Sequence, residues 1–335
     1  MKATIGLIWL LVLLLQSVAA QEQTGYDEPS APSYFSQVLA FLITSILSWL
    51  LIRQGGLRWE GFIPRTIRQA LGFLVLFFLL NIALSIPLGI LGEIVGVPLA
   101  MHPAGHALIG LVATGLLLRW VLKGTDTSFG EVFPLVPVPI ALLLPLSITV
   151  LGMGFLLSEV DNLLRTILPM PAEFAALFLQ LVGWDTSPWG FFLYAIIVAP
   201  LTEELIFRGL ILRGFLSHYS VEKSILASAL LFGAFHLNPW QFLGATAGGV
   251  LLGWLFVRTH SLLPCFFAHA LMNAIPLVLL DFYDLDISGF SGSLTEVEFQ
   301  PLWLDVLGLL LVGFGLRLLV QMLGKASDEE IRKIQ

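Results

Sequence analysis

The chain has 335 residues, 57% of them hydrophobic and only 12% charged, with a formal net charge of −7. A soluble domain carries about 25% charged residues, so this composition excludes an ordinary soluble protein. An acidic balance without a basic patch also excludes nucleic acid as a partner, and the single cysteine, Cys265, rules out an intrachain disulfide and a cysteine-based metal cluster.

The N-terminus reads as a secretory signal over residues 1–20. Lys2 supplies the positive start, Ile5 to Leu15 the apolar stretch, and Ser17-Val-Ala-Ala20 the small residues before a cleavage point. The alternative is an uncleaved anchor helix. Residues 21–33, with their Pro, Ser and acids, follow as a short extracytoplasmic lead-in.

From there to residue 323 the chain reads as an all-α bundle of transmembrane helices. Apolar segments long enough to span lie at 34–52, 69–91, 104–122, 138–157, 189–212, 224–240, 242–257, 262–280 and 303–323. The apolar stretch 166–183 is broken by Pro169 and Pro171 and reads as an interfacial or re-entrant piece. Pro134, Pro137 and Pro139 make a stiff approach to the fourth span. The small residues Gly244, Gly248, Gly249 and Gly253 mark a packing helix.

Charge sets the expected orientation. With the N-terminus outside, the inner loops carry Arg53, Arg58, Arg65, Arg68, Arg119, Lys123, Arg213, Lys223 and Arg258, and the cytoplasmic tail 324–335 adds Lys325, Arg332 and Lys333. The outer loops carry one basic residue, Arg165, among many acids. This is the positive-inside asymmetry. It suits an integral protein of a bacterial plasma membrane, with the lipid bilayer as its surroundings.

Three apolar segments contain polar groups that are expensive in lipid. The first is Glu203-Glu204-Leu-Ile-Phe-Arg208. Ionisable side chains at membrane depth cost roughly 2.5–3.5 kcal/mol each on insertion scales and mark functional sites by default. Glu204 and Arg208 are four apart and share a helix face, so they can pair. Glu203 lies about 100° round the helix and stays free. An ion pair with a snorkelling arginine explains Glu204 and Arg208 but leaves Glu203 without a partner. The second segment is Phe232-Gly-Ala-Phe-His236, and the third is His269-Ala-Leu-Met-Asn273, whose two polar residues project from one face. Counted along their helices, Glu203 lies nine residues from the inner end, His236 twelve, and His269 and Asn273 seven and eleven. All three segments can therefore meet in the inner half of the bilayer. Glu203, His236 and His269 would also make a zinc-ligand set.

The ordered set Glu-Glu-x-x-x-Arg, Phe-x-x-x-His and His-x-x-x-Asn resembles the CAAX-processing and bacteriocin-immunity family of membrane endopeptidases, known as CPBP or Abi, which includes the type II CAAX prenyl endopeptidases. The resemblance covers about 190–280, with a protease-like core at 189–280. It implies hydrolysis of a peptide bond inside the membrane, on a membrane-anchored peptide or protein. By that resemblance Glu203 is the base that activates water and His236 orients it. His269 and Asn273 stabilise the oxyanion, and Glu204 with Arg208 supports them. The implied mechanism uses glutamate without a cofactor, with zinc held by Glu203, His236 and His269 as the runner-up. The other function class is a non-catalytic immunity or scaffold protein, or a small transporter, using the same polar cluster.

Overall fold

The computed structural model describes residues 63–123, 127–182, 188–278, 287–290 and 295–324. The expected signal, lead-in and first span, and the tail beyond Gly324, lie outside the described residues.

Lipid offers no hydrogen bonds, so each crossing must satisfy its own backbone, and helices do this. Among the described residues there is no strand. The helices are α1 (Ile67–Val95), α2 (Pro103–Leu122), the short α3 (Phe129–Val132), α4 (Leu143–Ile167), α5 (Ala172–Val182), α6 (Trp189–Leu216), α7 (Val221–Phe235), α8 (Pro239–Thr259), α9 (Leu263–Leu277) and α10 (Leu302–Leu323). Their ends follow local chemistry. Thr66 and Gln69 exchange side chain-to-backbone hydrogen bonds to cap α1, and Gly96, at φ 72°, ends it. Asn238 accepts from the Trp240 N–H to start α8, with Pro239 in its first turn.

Six of these, α1, α2, α4 with its preceding tight turn Ile140–Leu142, α6, α8 and α10, are long and apolar enough to cross a membrane. The segments expected to span at 224–240 and 262–280 form shorter helices, α7 and α9, of 15 residues each. At 1.5 Å per residue these reach about 22 Å, against roughly 30 Å of hydrocarbon. Hydropathy runs on through Leu237, but the backbone does not. Leu237 has φ 51°, and the following Asn238-Pro239 begins a new helix. The stretch 166–183 becomes α5 once the chain has passed Pro169 and Pro171; its 11 residues fall well short of a crossing.

The loops gather at two ends. At one end Arg213 donates to the Glu131 and Val132 carbonyls, Ser261 Oγ donates to Val136 O (2.7 Å), and Leu262 N–H reaches Pro134 O (2.9 Å). At the other, Trp240 Nε1 donates to Leu168 O (2.7 Å), Asn162 Nδ2 to Gly289 O (2.6 Å) and Gln300 Nε2 to Phe155 O (3.0 Å). The first end carries Arg65, Lys123, Arg213, Lys223 and Arg258 with the acids Glu131 and Glu222, and the second carries Glu159 and Asp161 with Arg165. The helices thus alternate in direction, and the basic loops share one end.

Small residues let the helices approach. α4 and α10 meet over Gly152, Gly308 and Gly315; a Cβ at Gly152 would lie 2.8 Å from both Gly308 O and Val312 N. α7 and α8 meet where a Cβ at Gly249 would lie 3.0 Å from Ala229 Cα, whereas Gly244 faces open space. Gly152→Leu should push α10 away from α4. Overpacking of this kind destabilises by about 1–3 kcal/mol, seen as a lower Tm in detergent, while Gly244→Leu should leave Tm unchanged.

Candidate functional site

The site is built on α6, which is not a regular helix. Two wide turns with i to i+5 hydrogen bonding, Tyr194–Val198 and Leu205–Leu212, flank the ordinary turn Ala199–Glu204. Such turns inside helices occur frequently at functional sites. α6 also runs on to Leu216, beyond the expected end at 212. Glu203 therefore lies about 20 Å from that end, near the middle of α6.

Glu204 and Arg208 are both fully buried. Arg208 Nη1 donates to Glu204 Oε1 at 2.8 Å, the contact that a spacing of four on one helix allows. Arg208 Nη2 donates to the Gly249 carbonyl of α8 at 3.1 Å, and its guanidinium carbon lies 4.7 Å from the centre of the Phe232 ring. His269 of α9 points at the same carboxylate, with Nδ1 2.8 Å from Glu204 Oε1. One oxygen of Glu204 thus receives both an arginine and a histidine. At such depth an unpaired ion is penalised by several kcal/mol, so these partners hold Glu204 in place.

Glu203 has a different setting. Its side chain is 17% exposed, and its Oε2 is buried with no hydrogen-bond partner in the protein. His269 Nε2 lies 3.8 Å from that oxygen, too long for a hydrogen bond. His269 therefore stands between the two acids, bonded to Glu204 and facing Glu203.

His236 ends α7 instead of sitting within a span. Its Nδ1 is 2.9 Å from Phe232 O. A carbonyl only accepts, so Nδ1 carries the proton and the neutral ring keeps a lone pair on Nε2. His236 and His269 both meet Phe232 edge-on, with ring centres 5.1 Å and 5.5 Å away. Phe232 is the shared wall of the site. It opens the Phe-x-x-x-His motif, and its helix position one turn before His236 was the signal for this role. Asn273, one turn beyond His269, donates from Nδ2 to the Ala195 carbonyl of α6 at 2.7 Å.

The structure therefore joins Glu203, Glu204, Arg208 and His269 directly. It links His236 to them through Phe232, and ties Asn273 to α6. Gly249 and Ala195 enter the site without having been singled out for it. So does α2, whose His106 ring lies 6.2 Å from that of Tyr194, a residue within electrostatic range of Glu203. Cys265 is fully buried, with Sγ 3.3 Å from Leu252 O, and serves packing. Among the described residues no three His, Cys, Asp or Glu side chains are grouped to hold a metal ion.

Residues 185–275 match the family described as type II CAAX prenyl endopeptidase Rce1-like. The resemblance carried by the three motifs is thus shown for the stretch that holds α6 to α9. A Bacillus subtilis (strain 168) protein named "Putative membrane peptidase YdiL" is 31% identical over 83 residues, which is 25% of this chain and 34% of that protein. The chain therefore spans about a third of the length of this curated relative. No solved structure matches the chain.

Proposed function

We propose, from the family match over 185–275, that the protein is an intramembrane endopeptidase that hydrolyses a peptide bond of a membrane-bound protein or peptide, in CAAX-type processing. The observation that supports this most is the division between the two adjacent acids. Glu204 is bound through Oε1 to both Arg208 and His269, with only its Oε2 left over, while Glu203 Oε2 is buried, has no protein partner and lies near His269 Nε2. Different surroundings for two carboxylates are what separate acid and base roles.

In this reading Glu203 takes a proton from water, and the resulting hydroxide attacks the scissile carbonyl carbon. His236 orients that water through the lone pair on Nε2. Asn273 and His269 donate to the oxyanion that forms. When both His269 nitrogens carry protons, Nδ1–H holds Glu204 and Nε2–H is left for the oxyanion. Glu203 then returns its proton to the leaving amine as the C–N bond breaks, so no proton is gained or lost over the cycle.

The test compares membrane proteomes of cells carrying the active protein and its Glu203→Gln variant. A precursor should accumulate uncut with the variant, and its cleavage site identifies the substrate. Identical proteomes would favour a scaffold or immunity role. The mechanism proposed is metal-independent, so cleavage should continue at an unchanged rate after treatment with a strong chelator. Loss of activity restored by zinc would instead assign Glu203, His236 and His269 as ligands.

A further inference from the structure

We propose that Pro200 and the Ala195 carbonyl form a device that positions Asn273. In the wide turn Tyr194–Val198 bonds run from an N–H to the carbonyl five residues back, as from the Ala199 N–H to Tyr194 O. The next bond in this series would run from residue 200 to Ala195 O. Residue 200 is proline and has no N–H. The Ala195 carbonyl is therefore orphaned by the sequence of its own helix, at a depth where lipid supplies no donor. Asn273 Nδ2, arriving from α9, meets it at 2.7 Å.

This contact does more than satisfy a carbonyl. An asparagine side chain can present either its oxygen or its NH2 to a neighbour. A carbonyl only accepts, so Ala195 O selects the NH2 orientation and fixes the amide plane. One N–H is engaged by Ala195, and the second remains on a nitrogen that can no longer turn. The helix that supplies this carbonyl also carries Glu203, three residues after Pro200. Acceptor carbonyl, proline and carboxylate thus share one segment, and the position of Asn273 is set relative to Glu203. Ala195 and Pro200 are positioning residues: they act through Asn273. The consequence for turnover rests on the hydrolytic reading; the device itself does not.

Two measurements need no substrate. The chain has four asparagines, Asn81, Asn162, Asn238 and Asn273, so protein labelled with 15N only in asparagine gives a resolvable set of side-chain amide signals, with Asn273 assigned through Asn273→Asp. Pro200→Ala restores an N–H that can reach Ala195 O and compete with Asn273. The Asn273 amide should then shift and exchange with solvent about tenfold faster, while the Asn162 and Asn238 signals stay in place. The second measurement is a double-mutant cycle on Tm. Asn273→Leu strands the Ala195 carbonyl and lowers Tm; adding Pro200→Ala supplies the missing donor and restores most of the loss. An unmoved Asn273 signal in Pro200→Ala, or additive Tm losses in the double variant, overturns the proposal. If a single variant does not fold, the double variant decides: its folding supports the device and its failure refutes it. With a substrate in hand, Pro200→Ala should lower kcat about tenfold at unchanged KM, the pattern of a contact made in the transition state. Intact NMR and stability results without any cleavage would refute the hydrolytic reading alone.

Discussion

Glu203→Gln should abolish cleavage while leaving the protein folded and inserted. The variant keeps the shape of the side chain and removes its ability to take a proton. General-base catalysis contributes up to about 10⁴-fold. The neighbouring carboxylate is the poorer base, because Glu204 Oε1 already receives Arg208 and His269. Single-turnover cleavage should therefore fall by about 10⁴-fold. Stability should not fall with it, since Glu203 Oε2 makes no hydrogen bond that the change would break. Activity of Glu203→Gln near that of the unaltered protein would sink the glutamate mechanism. His236→Ala should behave in the same way if its Nε2 lone pair orients the water.

Arg208→Ala should show the opposite pattern, a structural failure from which loss of activity follows. The guanidinium is fully buried, bonded to Glu204 and to the Gly249 carbonyl, and stacked on Phe232. Removing it leaves the buried Glu204 carboxylate with its bond to His269 but without its cation. Breaking one side of a buried ion pair is destabilising by about 3–5 kcal/mol, a fall in Tm on the order of 10 °C for a chain of this size. Making both partners neutral, as Glu204→Gln with Arg208→Met, should recover much of that Tm without recovering activity. Thermal unfolding of the three variants in one detergent decides the matter. An unchanged Tm in Arg208→Ala would mean that the pair does not hold α6 against α8.

The parts of the site that were legible in the sequence are those set within one helix. Glu204 with Arg208, and Phe232 with His236, are each four apart, and a helix makes such residues neighbours whatever packs around it. The two-ended arrangement of the loops was legible because basic residues are unevenly distributed along the chain. What the sequence hid depends on backbone detail or on contact between helices. Apolar composition continues through Leu237, so nothing in the hydropathy announced its positive φ or the early end of α7. The wide turns of α6 left no compositional trace apart from Pro200. His269 was read as an oxyanion donor or a zinc ligand and not as a partner of Glu204, because that bond joins α9 to α6 across 65 positions. The approach of His106 on α2 to Tyr194 is equally a matter of packing.

The most direct test of the central claim follows oxygen. Purified protein in lipid vesicles is given the identified precursor in water enriched in 18O, and a single turnover is analysed by mass spectrometry. If Glu203 activates water, one 18O enters the new C-terminal carboxylate of the product and none enters Glu203, and Glu203→Gln yields no labelled product. Label in the Glu203 side chain would reveal a covalent intermediate, and either that result or labelled product from Glu203→Gln would contradict the account.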